Sequence, residues 1–273
     1  MIRQMEIRKP VVAGQFYESG RKELTKQISG FVKQREAKDI LACILPHAGY
    51  IYSGKVAAET VSGINIKDTV ILLGPNHTGH GAVFSVMAEG TWQTPLGDIK
   101  IDAELARQFL KKCALLEEDS LAHLYEHSLE VELPILQYFR PDFKIVPIAF
   151  MSANKQHLKS IAVEMAEVII QSKRLGLVTL VASSDMTHYE PLESAERKDK
   201  VAIDAILKLD EERFLESIKE LNISMCGYAP VYVLLQLAKL LGAKQAHLVR
   251  YDTSASENND KTSVVGYAGI TIN

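Results

Sequence analysis

The chain has 273 residues, of which 47% are hydrophobic and 24% charged, and its formal net charge is −3 at pH 7. This balance is typical of a folded globular protein and excludes a disordered or fibrous chain. The basic residues are scattered, so the sequence predicts no basic face for nucleic acid. The length suits a large α/β unit, and we expect residues 1–273 to form a single domain.

Neither export nor membrane insertion is indicated by the sequence. The N-terminus lacks the apolar stretch of a signal peptide, and no apolar run is long enough to cross a bilayer. We therefore expect a cytoplasmic protein. The three cysteines, Cys43, Cys113 and Cys226, form no CxxC pair, which argues against a disulfide framework or a zinc ribbon.

The first third of the chain predicts a βαβ unit. Residues 9–17 are predicted to be extended and 22–33 helical. A buried strand beginning at residue 41 runs into a loop at Pro46, a helix is predicted at 55–61, and a second strand at 69–73. A connection of this length predicts that the two strands form a parallel pair.

Strands and helices continue to alternate along the rest of the chain, which predicts an α/β fold. The predicted strands are 82–88, 144–150, 177–184, 246–251 and 263–272. The predicted helices are 102–112, 127–139 with a kink at Pro134, 155–172, 195–209, 211–220 and 230–241. Turns are predicted at 91–98 and a polar loop at 254–261. We expect a mixed, mainly parallel central sheet flanked by helices.

Three predicted strands end in loops that carry titratable side chains. His47 follows the first strand, His77 follows the second, and Asp185 and His188 follow the strand at 177–184. In open α/β sheets, ligands bind at the carboxyl ends of the strands. We therefore expect these three ends to converge on one cleft.

His47, His77 and Cys226 are candidate metal ligands. Imidazole is the commonest transition-metal ligand, and two histidines at adjacent strand ends could hold one ion. Cys226 precedes a predicted helix, whose N-terminus should lower the pKa of the thiol and favour the metal-binding thiolate. The alternatives are ordinary hydrogen-bonded loop histidines and a cysteine buried as a small hydrophobe.

Asp185 and His188 lie three positions apart, a spacing at which a carboxylate can orient an imidazole for acid–base chemistry. The alternative is an N-capping Asp185 with a surface His188. The segment from His123 to His127 matches H-x-x-E-H, the inverted zinc peptidase pattern. That pattern needs a further acidic ligand, and nothing downstream singles one out, so we set the peptidase interpretation aside.

Several short segments together resemble the Memo family over nearly the whole chain. They are Val-Ala-Gly-Gln-Phe-Tyr at 12–17, Pro-His-Ala-Gly-Tyr at 46–50, Gly-Pro-Asn-His at 74–77, Thr-Pro-Leu-Gly at 94–97, Glu-His-Ser-Leu-Glu at 126–130, Ser-Ser-Asp-Met-Thr-His at 183–188 and Cys-Gly at 226–227. That family is similar in fold to the class III extradiol dioxygenases, so the resemblance implies this fold.

The resemblance also implies roles for individual residues. His47, His77 and Cys226 would hold a transition metal, with iron or copper favoured and zinc as a further option. His188 would act as the acid–base group with Asp185 nearby. Cys226 stands where the dioxygenases have a carboxylate, so extradiol ring cleavage is not expected.

Four further residues would shape the pocket: Glu126 and His127 in its wall, and Phe16 and Tyr52 at its mouth. Two functions remain open on this basis. One is a metal-dependent redox protein or oxidoreductase, which the resemblance associates with a radical SAM protein. The other is a non-catalytic module whose cleft receives a small molecule, a small anion or a peptide, including a phosphorylated one.

Overall fold

The structure, a computed structural model, describes residues 7–152 and 154–273. The strands are β1 (Ile7–Arg8), β2 (Ala42–Leu45), β3 (Thr69–Pro75), β4 (Phe84–Val86), β5 (Thr91–Thr94), β6 (Gly97–Lys100), β7 (Glu117–Glu118), β8 (Lys144–Phe150), β9 (Val178–Ser183), β10 (His188–Glu190), β11 (Ala246–Thr253) and β12 (Val264–Ile272). The helices are α1 (Arg21–Phe31), α2 (Tyr50–Val61), α3 (Ala103–Lys112), α4 (Leu121–Leu124), α5 (Ser128–Phe139), α6 (Lys155–Gln171), α7 (Leu192–Leu207), α8 (Glu211–Glu220), α9 (Tyr228–Leu240) and α10 (Ala255–Asn258).

A mixed sheet lies at the centre of the molecule. Its strand order is β10-β12-β2-β9-β3-β8-β4-β7, and β11 pairs with β12. Strands β2, β9, β3 and β8 run parallel to one another, whereas β12 joins β2 and β4 joins β8 antiparallel. The predicted α/β fold with a mixed sheet is confirmed, and the parallel strands form its middle.

The central strands are apolar because helices cover them. Every residue of β2, β3 and β9 is buried, as expected where a parallel sheet is enclosed on both faces. Helices α2, α5 and α9 pack against these strands, and α6 packs on α9. No helix of the described ranges is both long and apolar enough to cross a membrane.

The order of the central strands places the three predicted loops side by side. β9 lies between β2 and β3, with Ser183 opposite Leu45 and Ala182 opposite Leu73. The strands therefore end at nearly the same level of the sheet. The predicted convergence of the three strand ends is confirmed.

Several local predictions were wrong. β2 and β3 are parallel but do not pair with each other, because β9 lies between them. The helix after β2 begins at Tyr50, immediately after the His47 loop, and not at residue 55. Residues 91–98 belong to the β5–β6 hairpin. Residues 9–17 are predicted to be extended, but part of this segment forms a turn. The amides of Gln15 and Phe16 both donate to the Val12 carbonyl.

Candidate metal centre

His47, His77 and Cys226 meet at the ends of the central strands. One potential ligand atom from each lies within 4.8 Å of the other two. The imidazole centroids of His47 and His77 are 5.2 Å apart, and the Cys226 Sγ lies 3.3 Å from His47 Nε2. Two imidazoles and one thiol are a suitable donor set for iron, copper or zinc, and three ligands leave coordination positions open.

Gly227 allows Cys226 to reach this position. Its amide donates to Ser184 Oγ at 2.9 Å, which ties the start of α9 to the end of β9. A Cβ atom on Gly227 would lie 2.3 Å from the Ser183 carbonyl oxygen. The close approach of α9 to the strand end therefore requires glycine.

Glu126 orients His77. Its Oε1 lies 3.0 Å from His77 Nδ1, and its Oε2 accepts the His77 amide. Burial alone would raise the pKa of Glu126, but the hydrogen bond and charge of His77, and then the Ser128 amide, hold it at about 2. The ionised carboxylate can only accept, so His77 Nδ1 carries the hydrogen and Nε2 is free for a metal.

His47 is buried and held at both its backbone and its ring. Its amide donates to Asp185 Oδ1 at 2.8 Å, and its Nδ1 lies 2.8 Å from Ser183 Oγ. Burial, and then repulsion by His77 and His127, lowers the pKa of His47 well below its usual value. The ring is therefore neutral, which is the state that binds metals.

Cys226 lies next to the N-cap of α9, as predicted, but its electrostatics differ from the prediction. Burial, and then the charge of Asp185, raises the pKa of Cys226. The expected lowering by the helix N-terminus is therefore wrong, because desolvation of a thiolate outweighs the helix dipole. Metal binding would replace this thiol proton, since a coordinating thiol is deprotonated.

Asp185 and His188 both line the cleft, but they do not pair as the spacing suggested. Asp185 accepts the amides of His47 and Ala48 and so fixes the loop after β2. His188 Nδ1 instead lies 2.8 Å from the Ser224 carbonyl oxygen. Because a carbonyl only accepts, Nδ1 carries the hydrogen and Nε2 is the basic nitrogen. Burial raises the pKa of Asp185, although the charge of His188 and the hydrogen bonds from the two amides act to lower it.

The four residues expected to shape the pocket also line the site or support it. His127 stacks on His77 with a centroid distance of 4.8 Å, and Phe16 meets His127 edge-on at 5.0 Å. Tyr52 is 38% exposed and lies at the rim, while Glu126 supports His77 from below the surface. Phe16, Tyr52 and His127 line a cleft of about 630 Å³ that also contains the three candidate metal ligands.

His123 lies elsewhere. It is fully buried, and its ring packs edge-on against Trp92 at 5.8 Å. His127 is a lining residue of the cleft, whereas His123 is not. The H-x-x-E-H segment therefore does not bring its two histidines to a common site.

A sequence model of the family described as "Memo-like protein" matches residues 8–271. The chain belongs to the Memo-like family. Curated relatives agree with this. A MEMO1 family protein of Methanosarcina acetivorans is 44% identical over 98% of this Memo-like chain and 100% of the relative. Another from Sulfolobus acidocaldarius is 40% identical over 97% of the chain and 98% of the relative.

The fold of this Memo-like chain is also found in a distant solved structure. The crystal structure of an uncharacterized protein from Escherichia coli K12 superposes with a TM-score of 0.54 at 14% identity. The match covers 84% of this chain and 99% of that one. At this identity the likeness supports the fold and gives no information on the site.

Sequence reasoning assigned no role to four residues that contribute to the Memo-like site. Ser183 contacts His47, Ser224 orients His188, and Glu132 lies behind Ser183. Tyr189 is 77% exposed at the cleft with a φ of 58°. Ser183 is the last residue of β9, one of the three strands whose ends are predicted to converge on the cleft. No local pattern indicates Glu132, because its position reads as part of an ordinary buried helix.

Proposed function

We propose that this Memo-like protein binds one transition-metal ion through His47, His77 and Cys226 and has a redox-related function. The observation that supports this most directly is the cluster of three donor atoms within 4.8 Å, supplied by three separate elements. Iron or copper suits a site of two imidazoles and a thiolate, and zinc can also occupy it.

A metal bound there would supply a redox-active or Lewis-acidic centre with positions open to a ligand. The surrounding side chains would divide the remaining tasks. Glu126 keeps the proton on His77 Nδ1, and Asp185 fixes the backbone of His47. His188 has its Nε2 free at the cleft and would exchange a proton with a bound molecule.

The test is elemental analysis of protein purified without oxygen. We expect about one iron or copper ion per chain and a marked loss in His47→Ala, His77→Ala and Cys226→Ala. His80→Ala is the matched control, because His80 belongs to the same loop as His77 and is likewise exposed, but lies outside the cluster. Equal metal content in all four variants would overturn the proposal.

The size of the cleft supports a second candidate, a binding module without turnover. A volume of about 630 Å³ exceeds what a metal and its ligands need, and Phe16, Tyr52 and Tyr189 line it. Calorimetry with phosphorylated and unphosphorylated peptides, on metal-free and metal-loaded protein, distinguishes the two functions. Peptide binding that is independent of metal would favour the module.

The association with a radical SAM protein stays a prediction.

A further inference from the structure

A buried acid lies behind the candidate metal centre. Glu132 of α5 is fully buried, and its Oε1 lies 2.6 Å from Ser183 Oγ. Ser183 Oγ in turn lies 2.8 Å from His47 Nδ1. Glu132 Oε2 has no hydrogen-bond partner in the described part of the chain. Burying a carboxyl group with an unpaired oxygen costs free energy, so the position requires an explanation other than stability.

The single hydrogen of the Ser183 hydroxyl determines the direction of this chain of contacts. Two acceptors and one ring nitrogen surround it: Glu132 Oε1 at 2.6 Å, the Ser128 carbonyl at 2.9 Å and His47 Nδ1 at 2.8 Å. The shortest contact is with Glu132. If the hydrogen points there, Ser183 Oγ has only lone pairs to offer His47, and Nδ1 must be the donor.

The contact on the opposite side of the His47 ring is compatible with the same tautomer. The Cys226 Sγ is 3.3 Å from Nε2, and a thiol can donate to a nitrogen lone pair. The direction is the same for an ionised Glu132 and for one that carries its proton on Oε2. Burial raises its pKa, and Oε1 accepts the Ser183 hydrogen whether the carboxyl is ionised or carries its proton on Oε2.

We propose that Glu132 is a positioning residue that acts through Ser183 to fix the His47 tautomer with its Nε2 lone pair directed at the metal. This inference rests on the proposed metal site. Removing a hydrogen-bond partner of a ligating histidine typically weakens metal binding by about 10- to 100-fold. Glu132→Leu should therefore weaken binding by that factor, although Glu132 itself does not touch the ion.

Two measurements test the proposal. The first is titration with Co²⁺, followed by its absorption bands. Glu132→Leu and Ser183→Ala should each lose about 10- to 100-fold in affinity, whereas Glu132→Gln, which keeps an acceptor at the same position, should stay close to the wild type. The double variant Glu132→Leu/Ser183→Ala should bind no more weakly than Ser183→Ala alone, because the two residues act in one chain.

The second measurement is ¹⁵N NMR of histidine-labelled, metal-free protein, with the His47 signal assigned from His47→Ala. We expect the Nδ1–H tautomer in the wild type and Glu132→Gln, and a mixture in Glu132→Leu and Ser183→Ala. An unchanged tautomer in Glu132→Leu, or losses in affinity that multiply in the double variant, would overturn the proposal. If the wild type bound no Co²⁺, the metal function would fail, while the tautomer data would still decide whether Glu132 orients His47.

Discussion

Glu126 is a buried carboxylate whose charge stabilises the folded state. Its pKa is about 2, against a usual value of 4.5, because His77 offsets the cost of burial. A carboxylate with a lowered pKa stabilises the fold above its unfolded pKa and loses that contribution as the pH falls through the folded pKa. We expect Glu126→Gln to reduce the free energy of unfolding by about 3 kcal/mol at pH 7.

Urea denaturation at several pH values measures this contribution. The difference between the wild type and Glu126→Gln should be full at pH 7 and should shrink between pH 4.5 and pH 2. Glu104→Gln is the control, since Glu104 is an exposed partner of Arg174 and should change little. A difference that stayed constant over this pH range would contradict the assignment of the charge to Glu126.

Cys226 should be the most readily oxidised of the three thiols. Cys43 and Cys113 are fully buried in the core, whereas Cys226 is partly exposed at the cleft. Its raised pKa slows the reaction but does not reverse the order, because burial raises the pKa of Cys43 and Cys113 as well. Mass spectrometry after mild peroxide should find Cys226 modified first, and bound metal should protect it. Earlier modification of Cys43 or Cys113 would refute this.

At the scale of elements, the packing of α9 against the end of β9 places the thiol. Gly227→Ala would put a methyl group 2.3 Å from the Ser183 carbonyl and 2.5 Å from Ser184 Cβ. The helix start must then move, and overpacking of this kind typically costs about 1–3 kcal/mol. We expect a lower melting temperature and weaker metal binding. Gly30→Ala in α1 is the control, because an added Cβ there meets nothing within 4 Å and improves helix propensity. Equal metal affinity in both variants would show that α9 does not set the thiol position.

At the scale of the whole molecule, a shared fold does not imply shared chemistry. The resemblance to extradiol dioxygenases concerns a site in which a carboxylate completes the ligand set, whereas this chain offers Cys226. A soft thiolate shifts metal preference and is itself oxidisable. We therefore expect iron(II)-loaded protein to yield no sustained yellow ring-opened product from catechol or protocatechuate. Product from Cys226→Asp alone would support the stated cause, and product from the wild type would refute it.

The sequence by itself determined the parts of this protein that depend on local pattern. Continuous apolar runs predicted β2, β3 and β9, and the polar residues that follow them predicted a cleft at the strand ends, because burial and chain reversal leave local signatures. Helical periodicity predicted α8 with its observed bounds, Glu211–Glu220. His47, His77 and Cys226 could be singled out for the same reason, since each lies at the edge of an element.

Only the tertiary structure decided how distant residues pair. β9 lies between β2 and β3. Asp185 hydrogen-bonds to the His47 loop, whereas His188 contacts the Ser224 carbonyl, and Glu132 hydrogen-bonds to Ser183. The tertiary structure also reversed the expected pKa shift of Cys226. Strand order and desolvation depend on groups far apart along the chain, and Ser183 and Glu132 are separated by 51 positions. No local pattern carries that information, because each of these contacts arises only when separate elements pack together.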